Sequence, residues 1–278
     1  MINFIKNDTP ITICDIGASS IDKTKFIDEL FNNTNSKLIG FEPNEEEFNK
    51  LEKNNPKKIF YDYAIGDGSE KYLNICKGPG MTSFLEPDMD YLNNFHSFDD
   101  FAEIIKKTKV KTKKLDDVKE KIDLLKIDVQ GYEYEIIQHG KEKIKNSLVI
   151  QLETSPIPLY KNEKTSSEVI NQLEKLGFSL HMFNKVNTKT FKPMKINNNI
   201  YQGLHHLFQL DCVMINNFQD IDSFNKEDLT KLILIMFYSF KSYDFVDYLI
   251  RIMDKKFNLN LIEKYRKLSS SFKILRNY

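Results

Sequence analysis

Apolar positions along the chain follow two regimes. Up to about residue 217, short runs rich in β-branched residues alternate with stretches of helical spacing; beyond it only helical spacing remains. The first run, residues 11–15 (ITICD), breaks at Gly17-Ala18-Ser19-Ser20. A helical stretch follows over about 22–31, with Phe26, Ile27 and Leu30 on its apolar side. A second run, residues 37–43, ends in Glu42 and is closed by Pro43. Asn44 then reads as the cap of a helix carrying Phe48 and Leu51, with Glu45, Glu46 and Glu47 in its first turn. Residues 59–65 make a third strand, finishing at Gly66-Asp67-Gly68. This alternation predicts a doubly wound α/β sheet.

The pattern returns at 122–140, IDLLKIDVQGYEYEIIQHG. A near-continuous apolar run here passes through Gln130-Gly131 into a helix ended by Gly140. Such a run fits a strand buried on both faces of a parallel sheet. Asp128 is its anomaly, because an ionised carboxylate is rarely buried without a partner. It stands at the carboxyl end of the strand, the edge where open α/β sheets bind ligands. Residues 148–153 form a further strand ending in Glu153, and a helix with Val169, Leu173 and Leu176 on its apolar face stops at Gly177. Residues 178–183 and 207–215 predict a closing strand pair across a polar loop at 184–203. Residues 72–112 are less regular and predict an extended excursion over the site, not a sheet element. The stretches 229–240, 243–253 and 259–272 predict a C-terminal helical appendage, dividing the chain into 1–217 and 218–278. Its apolar stripes must be covered by the sheet domain or by a second copy, so a homo-oligomer through these helices is one expected arrangement.

Composition narrows the function classes. Lysine plus arginine and aspartate plus glutamate both number 40, so no net charge marks the chain for nucleic acid. The lysine-rich patches at 106–109 and 111–114 read as a solvated face. Cys14, Cys76 and Cys212 have neither metal spacing nor an even number for a disulfide framework, which fits a reducing compartment. The first ten residues carry no extended apolar leader, and the longest apolar run, 232–240, is too short to span a bilayer. A cytoplasmic location without an integral membrane segment is the expectation. The five histidines show no metal-ligand spacing, so no metal site is expected; His205-His206 with Asp211 is the one corner to weigh. Tyr91, Phe95, Phe98 and Phe101 read as core or lid, with stacking on a sugar as the alternative.

The candidate chemistry gathers at strand ends. Asp15-Ile16-Gly17-Ala18 joins a strand to a helix, where glycine permits close approach of a ligand. Glu42, at the end of the next strand, occupies the place of a ribose-binding acid. Together with Gly40-Phe41-Glu42-Pro43, Ala64-Ile65-Gly66-Asp67, Lys114-Leu115-Asp116-Asp117 and the run from Asp123 to Glu133, these residues resemble the FkbM-type methyltransferases over roughly residues 9–216. The run Leu125-Lys126-Ile127-Asp128-Val129-Gln130-Gly131-Tyr132-Glu133 is the most specific part of the resemblance. Gln130 departs from it, standing where the family usually has glutamate, and Ala18-Ser19-Ser20 replaces a more glycine-rich turn.

The resemblance implies a class I, Rossmann-like seven-stranded and mostly parallel sheet, S-adenosylmethionine as cofactor, and methylation of a hydroxyl on a sugar, glycan or secondary metabolite. It assigns cofactor binding to Asp15, Gly17, Ala18, Glu42, Pro43, Ala64, Ile65 and Asp128. A sulfonium methyl is already activated, so the enzyme mainly has to position a nucleophile in line with it. An alcohol acceptor also needs a base within hydrogen-bond reach, for which Asp128, Glu153, Glu133 and His181 are the candidates. Lys126, two residues before Asp128 on the same strand face, joins the catalytic candidates as the expected partner of Asp128 or Glu133, with a purely structural ion pair as the alternative. Two other readings remain open from the sequence: an oxidoreductase using NAD on a Rossmann-like sheet, and a non-catalytic scaffold with Gln130 as its first sign of decay.

Overall fold

A computed structural model describes residues 2–19 and 25–269. The expected helix start at residue 22, Ser20 of the first turn, and the end of the last helix beyond 269 lie outside the described residues. The chain opens with β1 (Ile11–Ile16), α1 (Lys25–Asn33), β2 (Ser36–Phe41), α2 (Glu45–Lys50), β3 (Lys58–Tyr61) and β4 (Ala64–Ile65). Then come β5 (Glu70–Cys76), α3 (Met89–Leu92), α4 (Phe98–Phe101), β6 (Ile104–Lys113) and β7 (Leu124–Ile127). The second half adds α5 (Glu133–His139), α6 (Lys141–Lys145), β8 (Val149–Thr154), α7 (Ser166–Glu174), β9 (Phe178–Lys189) and β10 (His206–Asn216). It closes with α8 (Lys226–Tyr238), α9 (Tyr243–Phe257) and α10 (Ile262–Ser269).

Seven strands form the main sheet in the order β3-β2-β1-β7-β8-β10-β9. The first five run parallel; β10 is antiparallel to both β8 and β9. The doubly wound sheet of class I methyltransferases is therefore present. The order reverses between β1 and β7, so Gly17 and Asp128 meet at the switch point, where a crevice opens beyond the strand ends. The central strands are buried along their length because helices cover both faces: α1, α8 and α9 on one, α5 and α7 on the other.

The expected irregular excursion at 72–112 is corrected by a second sheet, β4-β6-β5, in which β5 and β6 pair antiparallel along most of their length. Its strand pattern is hard to read because β6 (IIKKTKVKTK) points lysines outward at Lys107, Lys109, Lys111 and Lys113, while threonine and valine fill much of the other face. Only Thr112 is buried, so apolar alternation is nearly absent. The lysines are solvated as expected, Lys107 pairing with Glu86 and Lys109 with Glu70. The loops between β5 and β6 carry the aromatic cluster, where Phe95 and Phe98 pack with Phe208, Leu159 and Tyr160. Core is thus the reading that holds for Phe95 and Phe98.

The helices after residue 217 do not stand apart from the sheet. Every residue of α8 from Leu229 to Tyr238 is buried, and the helix shares one core with Ile11, Ile13, Leu124, Val149 and Val213. A helix apolar on all sides belongs inside a domain. Lys231 enters this core and reaches Asp123 Oδ2 at 3.1 Å, at the amino end of β7. Asp123 also accepts from Thr12 N at 2.8 Å, so its carboxylate joins β1, β7 and α8. The stripes on α8 and α9 are covered within one chain, leaving Phe218 and Tyr248 as exposed rings of this region. Among the described residues no helix is long and apolar enough to cross a membrane.

Candidate active site

Two clefts meet at Asp128. The first runs along the carboxyl ends of β1, β2 and β4 and encloses about 750 Å³, its open mouth included. Gly17 forms its edge with φ +81°, and a Cβ at this position would sit 1.9 Å from the Asp128 carbonyl oxygen. Only glycine lets β1 and β7 close there. Glu42 and Pro43 line the far side, with Ala64 and Ile65 forming an apolar wall.

Glu42 and Glu47 are both buried acids on the lining, and Glu42 stands at the end of β2. Its Oε1 accepts from Asn44 N at 2.7 Å, and its other oxygen takes no hydrogen bond from the described residues. Burial, with Glu47 and Asp15 nearby, pushes its pKa up to about 7 against the opposing Asn44 N–H and Lys126. A carboxylate so placed gains from a ligand that donates to it. The arrangement fits the vicinal hydroxyls of a ribose, with Ala64 and Ile65 beside the base.

Asp15 and Ala18 do not line this cleft. Asp15 lies beneath it, bound by Lys126 Nζ at 3.1 Å, and both groups are buried. Lys126 also faces Asp128 Oδ2 at 3.5 Å, so Lys126 spans the two aspartates rather than pairing with Glu133. Ala18 turns toward Gly40 and is buried. Neither side chain is part of the cleft lining: Asp15 is held by Lys126 and Ala18 packs against Gly40.

The second cleft lies on the other side of Asp128, against α1 and the carboxyl end of α8. Asp128, Glu153 and Asp211 line it together. Gln130 joins two of them: its Nε2 donates to Asp128 Oδ1 at 2.9 Å and to Glu153 Oε2 at 2.8 Å. Gln209 Nε2 gives Glu153 Oε2 a second donor at 2.7 Å. Burial, then the charges of Asp128 and Asp211, hold the Glu153 carboxyl well above the usual range. Gln130 is itself held in the left-handed region at φ 58°, followed by Gly131 at φ 95°. Ser83 Oγ donates to the Gln130 carbonyl at 2.6 Å and Tyr160 Oη donates to its Oε1 at 3.3 Å. A non-glycine residue kept in this conformation by tertiary contacts is characteristic of sites that must aim a side chain.

Glu133 and His181 are not brought to this place. Glu133 is buried at the start of α5, where its Oε1 accepts from Val129 N at 3.0 Å and braces the turn after β7. Burial and the neighbouring Glu163 raise its pKa to about 8. His181 lies on β9 against α9, its Nε2 2.9 Å from Ser242 Oγ and its ring on Phe245. It falls at a register irregularity of β9, between Leu180 and Met182, and faces α9. His206 is used by Tyr91 Oη at 2.6 Å and by Phe95, and no metal-holding group of three or more His, Cys, Asp or Glu occurs among the described residues. The sequence reading missed the roles of Gln151, Gln209 and Asp211 in the second cleft. The available signal was their position on adjacent strands, which needs the antiparallel register of β8 and β10 to be known.

The FkbM methyltransferase domain matches residues 15–180 of the chain. No curated protein matches it. Among solved structures, similarity extends to the magnesium protoporphyrin IX methyltransferase of Synechocystis PCC 6803, solved with bound S-adenosylmethionine. That match has 9% identity and a TM-score of 0.39, covering 74% of this chain and 70% of that one. A TehB-like methyltransferase from Corynebacterium glutamicum matches at 10% identity with a TM-score of 0.36, covering 75% of this chain and 82% of the other.

Proposed function

The chain belongs to the FkbM methyltransferase family, whose cofactor is S-adenosylmethionine, and on that premise we propose that it methylates a hydroxyl of a sugar, glycan or similar small metabolite. The observation that carries this reading is the position of Asp128, which lines both clefts at once. A donor on one side and an acceptor on the other would meet beside this carboxylate, which lies at the edge of both clefts.

Gly17, Glu42, Pro43, Ala64 and Ile65 would hold the cofactor, Glu42 by accepting from its ribose hydroxyls. The cofactor supplies a methyl group already activated on a positive sulfur. The protein's own task is then to orient the acceptor and remove one proton. Glu153 is the group we assign to the proton, because its raised pKa makes it the stronger base once ionised. Asp128, fixed by Gln130 and Lys126, would orient the hydroxyl and face the sulfonium charge. Gln130 and Gln209 stabilise the Glu153 carboxylate while leaving its Oε1 for the acceptor.

The test combines adenosylhomocysteine titration with transfer of labelled methyl groups from S-adenosylmethionine to hydroxylated acceptors. Wild type should bind in the titration and transfer label to oxygen, and Glu153→Gln should bind equally but transfer far more slowly. Binding without turnover on any acceptor would favour the scaffold reading, and label found on nitrogen or carbon would overturn the O-methylation assignment.

A further inference from the structure

Strands β9 and β10 continue past their neighbour as a hairpin. β8 pairs with β10 over residues 210–215, whereas residues 206–209 have only β9 beside them. From residue 184 to 210 the sequence carries four lysines (Lys185, Lys189, Lys192 and Lys195) and no aspartate or glutamate, in a chain with no net charge overall. Large apolar side chains stand in water over the same stretch. Val186, Phe191, Met194, Tyr201, Leu204 and Leu207 are each between 43% and 60% exposed. Apolar residues gathered in this way on one hairpin mark an interaction surface, unlike those scattered singly.

The backbone beneath them is anchored. Lys192 N donates to Asn94 O at 2.8 Å, Thr190 Oγ1 donates to Gln202 O at 2.9 Å, and the Met194 carbonyl lies 3.1 Å from His96 Nε2. The exposure of these side chains is therefore a property of the fold.

Charge and chemistry together say what covers them. Lys185 and Lys195 have no ion-pair partner among the described residues, and Lys192 meets Asp99 at 4.0 Å. A second copy seated here would set lysine against lysine across a two-fold axis. Nucleic-acid bases bind by stacking, yet Phe191 already packs against Phe95 at 4.9 Å and His206 at 4.6 Å. Val186, Met194, Leu204 and Leu207 offer a base no ring at all. An anionic bilayer accepts both kinds of side chain: apolar ones enter the boundary between headgroups and acyl chains, and lysines stay among the anionic groups.

We infer that the tip of the β9–β10 hairpin is a peripheral docking surface for an anionic lipid bilayer. Met194, Tyr201 and Leu204 enter the headgroup boundary, and Lys192 and Lys195 face its anionic groups. The contact is reversible and independent of the cleft chemistry.

The experiment uses the full chain with sedimenting vesicles of phosphatidylcholine alone, or of phosphatidylcholine mixed with phosphatidylserine or phosphatidylglycerol. Wild type should sediment with both anionic mixtures at low salt, stay in solution with phosphatidylcholine, and be released as salt rises. Lys192→Gln with Lys195→Gln should bind about 10- to 30-fold more weakly, and Met194→Ser with Leu204→Ser about tenfold more weakly. Lys119→Gln with Lys175→Gln removes the same charge from exposed positions elsewhere and should bind as wild type does. The chain has no tryptophan, so Tyr201→Trp gives a reporter without background. Its emission should shift to the blue on anionic vesicles and be quenched by brominated acyl chains. The inference is overturned if wild type ignores anionic vesicles, if the two charge variants weaken binding alike, if the apolar variant binds as wild type does, or if the reporter is not quenched. It is equally overturned if light scattering shows a dimer that the apolar variant breaks, or if single-stranded DNA binds more tightly than the vesicles.

Discussion

Acid residues at strand ends were the legible part of the site, because a carboxylate breaking an apolar run is visible without any knowledge of topology. Glu42 and Asp128 stood out for that reason, and both line the first cleft. Glu153 was legible in the same way, whereas Gln151 and Gln209 look like ordinary polar positions until neighbouring strands are placed beside them. Glu42→Ala should weaken adenosylhomocysteine binding by about 10- to 100-fold, the loss of hydrogen bonds to a charged group, with little change in fold. Calorimetric titration checks this, and equal affinities would remove Glu42 from the cofactor. Glu153 carries a second expectation. Its raised pKa leaves it protonated at low pH, so methyl transfer should fall as pH drops through a value above the usual carboxylate range. A kcat profile should show this limb in wild type and lose it in Glu153→Gln.

Among elements, the parallel strands were readable from their continuous apolar runs, and β5 with β6 was not. A two-faced surface strand whose outward positions are lysines has no apolar period to detect, and its identity comes from pairing alone. The C-terminal helices were readable from their spacing, but helical spacing does not reveal what covers a helix, and so α8's place in the core was not. Its burial on all sides brings Lys231 into the core beside Asp123. Lys231→Met leaves that aspartate charged and buried, and should lower stability by about 3–5 kcal/mol. The double change Asp123→Leu with Lys231→Met removes both charges and should recover much of the loss. Urea unfolding of the three proteins measures the difference, and a single mutant as stable as wild type would mean that the pair is hydrated.

At the scale of the whole molecule, stability should depend on pH in an unusual direction. Burial raises the pKa of Glu42 and Glu163 to about 7 and that of Glu133 to about 8, against a value of 4.5 for a free glutamate. Between 4.5 and 8 these three glutamates hold more protons in the folded chain than in the unfolded one. Raising the pH through that window favours unfolding, and the protein should melt higher near pH 5 than near pH 8. Glu133→Gln should flatten the trend in a scan by differential fluorimetry; a melting temperature that climbs with pH would contradict the burial of these acids. Because α8 completes one side of the sheet, removal of residues 218–278 is expected to abolish cooperative thermal unfolding by circular dichroism. A sharp transition in the truncated chain would show that the sheet stands alone.

Strand β7 carries a buried ion pair at each end, Asp123 with Lys231 and Lys126 with Asp15. Leu125 and Ile127, which alternate with Lys126, face the opposite core. If β7 paired one residue out of step, Lys126 would be thrust among those apolar side chains while both aspartates lost their cations. The charges are therefore expected to make near-miss alignments of the central strand costlier than a purely aliphatic sequence would. The pair beneath the cleft and the pair at the opposite end of the strand would thus penalise the wrong sheet before any ligand is present.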